Sequence, residues 1–238
     1  MNKIFTIAMV ALLVVFTLGV TLADPNGAGT VTQEASGRAT ADSAGNHSAI
    51  AGNVTELTVV GNSVTQSWQG YYGNVSGTIM LEDSSGNTMY NWSLASPQGE
   101  IFASEDSSVS WSNVQCFNWT ENGTTLETTY NVNDSVDGVN ETFTDGNSHV
   151  AFSVGSTSFS AGECMSADIF DNSGSSSDGT FEEVLLAQST GQIIFASLLE
   201  EDASGFDGSS HDFEMLVLED GHSGNTETTA YYFYVELE

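Results

Sequence analysis

The sequence predicts an all-β protein, an antiparallel β-sandwich with a short irregular or helical insertion. Three observations predict it. Short runs of alternating apolar and polar residues recur along most of the chain, Gly/Asn/Ser/Asp turn signals separate them, and no long stretch carries helical periodicity beyond the N-terminal leader. About ten short strands of this kind suit two packed sheets.

The leader comes first. Met1-Asn2-Lys3 supplies a short positive start, Ile4 to Ala23 is uncharged and largely apolar, and Thr21-Leu22-Ala23 places small residues before Asp24-Pro25. That is the layout of a signal peptide, residues 1–23, cleaved after Ala23. The run also just reaches bilayer-spanning length, so an uncleaved anchor is the second reading. Both place the bulk of the chain outside the cell, with membrane contact only through the N-terminal segment if it stays. Residues 24–52 are rich in Gly, Ala, Ser, Thr and Asp without periodicity, as expected of a flexible polar spacer.

Residues 53–238 form the β-sandwich domain. Val54–Val60 and Val64–Trp68 read as strands. The clearest strand grammar follows, in Trp68–Ser104. Val75, Gly77, Ile79 and Leu81 alternate with Asn74, Ser76, Thr78 and Glu82. After the turn signal Asp83-Ser84-Ser85-Gly86-Asn87, Tyr90, Trp92 and Leu94 alternate with Met89, Asn91 and Ser93. Alternation on both sides of such a turn predicts a hairpin with one buried face. Ile101–Ser104 is a further short strand. Between Trp111 and Asn147 the pattern turns polar and weakly periodic, fitting short helices or a decorated loop.

Strand patterns resume at His149–Val154, Thr157–Ser160 and Met165–Phe170. A Ser/Gly/Asp linker, Asp171–Gly179, precedes Phe181–Ala187, Gln192–Leu199, Asp212–Leu218 and Thr228–Leu237. The last is expected to bury Tyr231, Phe233, Val235 and Leu237 on one face. Ile79–Leu94 also aligns without a gap onto Val184–Leu199, with Leu81/Leu186, Ser84/Ser189, Gly86/Gly191 and Leu94/Leu199 identical. Two related subdomains, 53–170 and 180–238, would explain it; shared hairpin grammar explains it equally.

Charge bounds the solvent and the partners. Lys3 and Arg38 stand against 32 acids in 238 residues, a formal charge of −30, while 39% hydrophobic and 10% aromatic residues are too many for a disordered chain. Self-repulsion of this size opposes a compact state in dilute salt. In molar salt the Debye length shrinks to about 3 Å and the repulsion is screened, so the composition suits brine. With no basic patch, nucleic acid is excluded as a partner, and so are anionic membrane surfaces.

Cys116 and Cys164 are the only cysteines, and in an exported chain they are expected to form a disulfide worth roughly 4 kcal/mol through loop closure. No CxxC and no neighbouring histidine supports a thiol nucleophile or a metal site. Asn-x-Ser/Thr sequons occur at Asn46, Asn53, Asn74, Asn91, Asn118, Asn122, Asn133 and Asn140, making a glycoprotein the expectation, above all at the last six.

The acidic groups Glu82-Asp83, Glu105-Asp106, Asp168 with Asp171, Glu200-Glu201-Asp202 and Glu219-Asp220 match no calcium loop and read as solvated carboxylates. His47, His149, His211 and His222 lack zinc spacing, and Asp220–Gly224 looks like a turn. Neither a metal nor a cofactor is expected. No nucleophile elbow, HExxH or phosphate loop is present, and a carboxylate pair for glycoside hydrolysis is defined only in three dimensions. Trp68, Tyr71 and Tyr72, flanked by Gly70 and Gly73, are the candidate aromatic platform for a ligand, with core packing as the alternative.

The strings W-Q-G-Y-Y-G-N-V-S-G-T-I, N-W-S-L-A-S-P-Q-G-E-I-F-A-S and E-D-G-H-S-G-N-T-E-T-T-A-Y-Y-F-Y-V-E-L resemble a group of uncharacterised archaeal secreted or cell-surface β-rich proteins, over most of Val54–Glu238. The resemblance implies an archaeal envelope setting and no activity. The expected function is that of an exported envelope protein, structural or adhesive and non-catalytic, working in high salt. Its partners would be other envelope proteins or further copies of itself. A carbohydrate-binding module, with polysaccharide as partner, is the first alternative, and a glycosidase-like hydrolase the weaker one.

Overall fold

The computed structural model describes residues 23–94, 96, 98–133, 136–144, 149–176, 179–220 and 228–237. The leader (1–22) and the 221–224 turn with His222 lie outside them. In chain order the strands begin with β1 (Asn26–Gly27), β2 (Trp68–Gly73), β3 (Thr78–Glu82), β4 (Thr88–Ser93), β5 (Gly99–Ser104) and β6 (Val114–Cys116). Helices α1 (Trp119–Tyr130) and α2 (Val139–Thr142) follow, then β7 (Phe152–Val154), β8 (Thr157–Phe159) and β9 (Ser166–Asp168). The chain closes with β10 (Glu182–Gln188), β11 (Ile193–Leu198), β12 (Ala203–Ser204), β13 (Ser210–His211), β14 (Phe213–Leu218) and β15 (Tyr232–Leu237).

The fold is all-β, antiparallel and sandwich-like. One seven-stranded sheet runs β1-β15-β5-β11-β10-β6, with β9 sharing the outer edge of β10 with β6. It draws strands from both sides of the 53–170/180–238 division, since β5 lies between β11 and β15. The two aligned hairpins occupy opposite settings: β10–β11 sits in the middle of this sheet, whereas β3–β4 is a separate two-stranded sheet.

Both faces of the main sheet are covered. Ile101, Ala103, Leu185, Ala187, Ile193 and Phe195 pack under the β2–β14 pair and the helical insertion, through Met215, Val217, Tyr130, Val139 and Phe143. Phe102, Val184, Leu186, Ile194 and Ala196 pack on the other side with Trp111 and the β7–β8 hairpin. Every residue of β10 and β11 is buried, which is why their centres, Val184–Ala187 and Ile193–Ala196, are unbroken apolar runs rather than alternating ones.

Several sequence expectations fail for identifiable reasons. The Val54–Val60 run forms no strand and is exposed; β-branched residues favour a strand only where a partner edge exists. The second expected strand yields only its last residue, Trp68, which opens β2. Asn26–Gly27, inside the expected spacer, pairs with β15 at Asn26↔Val235, and Pro25 is buried. The closing strand buries Tyr234 and Glu236 more deeply than the four residues of the expected face, because neighbours on both sides place it within the sheet. The insertion resolves into helices, α1 being capped by Asn118, whose side chain accepts from the Glu121 amide.

Cys116 and Cys164 are joined in a disulfide, Cα to Cα 5.1 Å, tying β6 to the turn before β9. Buried carboxylates are the less expected feature. Glu100, Glu182, Glu183, Asp212, Glu214 and Glu236 are all buried, and none belongs to the acidic groups conspicuous in the sequence. Five of them accept backbone amides: Glu182 from Val150 (2.8 Å), Glu183 from Leu216 (2.8 Å), Asp212 from Val75 (2.8 Å), Glu214 from Phe206 (2.9 Å) and Glu236 from Gly155 (2.9 Å). In a chain almost without lysine or arginine, these buried carboxyls are held by peptide N–H groups and not by cations, and burial raises Glu183 and Glu214 above the usual carboxylate range.

Candidate functional site

The β3–β4 hairpin forms as expected, with Ile79 opposite Trp92 and Leu81 opposite Tyr90. The expected burial of that face does not. Ile79, Leu81, Tyr90 and Trp92 remain 44%, 50%, 60% and 50% exposed, and Tyr90 and Trp92 lie against one another at 4.9 Å. Alternation guarantees that these four share a face; it does not supply a layer to cover it.

The hairpin turn is closed by its own hydrogen bonds. Asp83 accepts the amides of Ser85 (2.8 Å) and Asn87 (2.9 Å) and the Asn87 side-chain amide (2.8 Å). The Asn87 side chain, followed by these amides, holds the Asp83 carboxyl below its usual range. Thr88 donates to Glu82 at 2.6 Å across the bulge. At the base, Gly77 lies so close to Leu237 that a Cβ would overlap its side chain, and Leu94 donates its amide to the Gly77 carbonyl. Chemically the hairpin is an apolar paddle. Residues 57–99 contain two of the 32 acids, Glu82 and Asp83, both at the turn.

Trp68, Tyr71 and Tyr72 do not form one platform. Trp68 donates Nε1–H to the Asp137 carbonyl at 2.7 Å and packs on Phe143 and Phe195. Tyr71 sits edge-on to Phe233, and burial raises its phenol above the usual range. Both are half-buried and packed against the core. Tyr72 alone is exposed, and it meets Phe206 (5.0 Å) and His211 (4.8 Å).

This second cluster is built by the small β12–β13 sheet. His211 pairs with Asp207 at 3.0 Å, and Gly205 approaches so closely that a Cβ there would overlap the imidazole. Glu214 lies beside them, pushed above the usual carboxylate range by burial, a rise its bond from the Phe206 amide partly offsets. Two exposed aromatic rings, edge to face and bordered by carboxylates, make up this cluster, and the sequence concealed it: Tyr72 and Phe206 are far apart in the chain. The string Phe206-Asp207-Gly208-Ser209-Ser210-His211, a turn between an aromatic and a histidine, was the available signal.

A shallow cleft of about 470 Å³ lies between the 63–67 segment and the end of α1, with Asp137 and Asp220 in its wall. Thr65 donates to Asp137 at 2.6 Å, and Arg38 reaches the Thr65 carbonyl at 3.5 Å. Among the described residues no group of three or more His, Cys, Asp or Glu is arranged to hold a metal ion. Nor is any described helix long and apolar enough to cross a membrane.

The sequon asparagines Asn46, Asn53, Asn74, Asn91, Asn118, Asn133 and Asn140 are exposed, and Asn122 is half-buried beside Gly191. Asn91 stands opposite Met80, on the hairpin face away from Trp92. No protein-family model, no curated protein and no solved structure matches this chain.

Proposed function

We propose that this chain is an exported protein of the envelope of a salt-adapted archaeon, and that it acts by presenting a surface, structurally or adhesively, without catalysis. The observation that carries the reading is the β3–β4 hairpin, a preorganised apolar paddle on a chain of charge −30. Soluble monomers rarely expose contiguous apolar patches beyond a few hundred Å² unless something binds there. The paddle supplies a neutral contact on a surface that is otherwise acidic.

The reading is tested by co-sedimentation of the exported protein with isolated envelopes in molar KCl. Wild type is expected in the pellet, and an Ile79→Ser/Trp92→Ser variant of unchanged thermal stability in the supernatant. Equal pelleting of the two would contradict a role for the paddle.

A second reading, polysaccharide binding, is favoured by Tyr72 and Phe206 beside His211 and Asp207. It moves the expected platform away from Trp68 and Tyr71. Retention on immobilised polysaccharide that Tyr72→Ala abolishes would support it.

A further inference from the structure

We propose that the β3–β4 hairpin is a homotypic contact: the face formed by Ile79, Leu81, Tyr90 and Trp92 packs against the same face of a second copy of this chain about a two-fold axis. The inference rests on the surface-presenting reading above and names its partner.

Four observations select that occupant. A two-stranded sheet is marginal in water unless a further layer covers its apolar side, yet among the described residues β3 and β4 pair only with each other and their shared face stands open. The exposed part of the four side chains is on the order of 500 Å², so two copies together reach the roughly 1,000 Å² that separates a specific interface from incidental contact.

Charge narrows the partner. Salt screens the long-range field of about thirty negative charges, but carboxylates brought within a few Å across a contact still repel, and this cost is least where the acids are fewest. Residues 57–99 are that place: Glu82 and Asp83 sit at the turn, engaged by Thr88, Ser85 and Asn87. A basic partner would instead be drawn to the acidic remainder of the surface.

The fourth observation concerns geometry. Asn91, the hairpin's sequon, is on the opposite face with Met80, so a glycan there leaves the Trp92 face free and would obstruct packing through the other. The contact is also self-complementary, since each face offers an aliphatic strand (Ile79, Leu81) and an aromatic one (Tyr90, Trp92). Stacked faces about 10 Å apart would complete a small sandwich from two hairpins.

The test is sedimentation velocity on the exported protein in molar KCl over a roughly hundredfold concentration range, where mass action exposes a dimer. The expected result is a concentration-dependent shift from one chain to two. Ile79→Ser/Trp92→Ser should move the midpoint upward at least tenfold with thermal stability unchanged, while Met80→Ser, on the glycan side, leaves it in place. A wild type that stays a single chain throughout overturns the proposal, as does a dimer indifferent to Ile79 and Trp92 or equally sensitive to Met80.

Two further arms identify a different occupant. Flotation of monomeric protein with phosphatidylcholine vesicles, lost in the double variant, would assign the face to lipid and overturn self-contact. Retention on soluble polysaccharide, lost in the same variant, would assign it to glycan with the same consequence. If the chain stays monomeric but still pellets with envelopes through the hairpin, self-contact falls and the surface reading stands. If it does neither, both fall.

Discussion

Glu183 and Ser197 stand opposite one another on β10 and β11, and both reach up to the open edge of β14. The Glu183 carboxylate accepts the Leu216 amide at 2.8 Å, and the Ser197 hydroxyl donates to the Glu214 carbonyl at 2.8 Å. A neighbouring pair of side chains from the main sheet thus satisfies two backbone groups that no further strand covers. This stitch ties the β2–β14 pair to the main sheet over the core.

The stitch is pH-sensitive. Glu183 is fully buried, and burial drives its carboxyl well above the usual range, an effect the Leu216 amide only partly offsets. The folded state therefore holds a proton that the unfolded chain releases near pH 4.3. The stability Glu183 contributes is complete below that value and is lost as pH rises through its raised folded value. Denaturation in molar salt across pH should show wild type losing stability relative to Glu183→Gln as pH rises. Parallel curves would contradict it. Removing the acceptor altogether, in Glu183→Leu, leaves the Leu216 amide unpaired and should cost about 1–3 kcal/mol.

Trp68 and Tyr72 should respond oppositely to truncation. Trp68→Ala removes a ring packed on Phe143 and Phe195 and should destabilise the fold by about 3 kcal/mol. Tyr72→Ala, at an exposed ring, should change stability by less than about 1 kcal/mol. Paired denaturant midpoints decide this, and equal losses would sink the separation of core from surface aromatics.

Reducing the Cys116–Cys164 bond frees a loop spanning 48 positions. The chain-entropy account expects a loss of roughly 4 kcal/mol. Thermal melts with and without reductant measure it; coincident melts would mean that the β6–β10 and β9–β10 ladders hold the segment alone.

Asn118 is both a sequon and a helix cap. Asn118→Ala should cost about 1 kcal/mol by uncapping α1, whereas Thr120→Ala should abolish any glycan there and keep the cap. Intact mass and melting temperature of the two variants separate the roles. Equal destabilisation would show that the cap contributes nothing beyond the glycan.

Much of this fold was legible locally and little of it globally. The strands around the Ser189–Gly191 turn follow from turn chemistry and their apolar runs, and the hairpin around Asp83–Asn87 from turn chemistry and alternation. Whether a face is buried depends on what arrives from elsewhere: β10–β11 is covered on both sides, while the similar β3–β4 is covered on neither. Trp68–Gly73 was unreadable as a strand because Gly70 and Gly73 weaken its propensity and its partner, β14, lies about 140 residues away. The Tyr72–Phe206–His211 cluster was hidden for the same reason. Cysteine pairing could be read directly, because the chain has only two cysteines and a leader-like N-terminus that points to an oxidising compartment.

The role proposed for this chain is surface presentation by an acidic fold matched to brine. Circular dichroism combined with size-exclusion chromatography of the non-reduced exported chain, from molar salt down to millimolar, tests it most directly. The account predicts β signal and association in molar salt, followed by loss of both as the Debye length grows beyond the spacing of surface acids. A folded single chain at every salt concentration would contradict it.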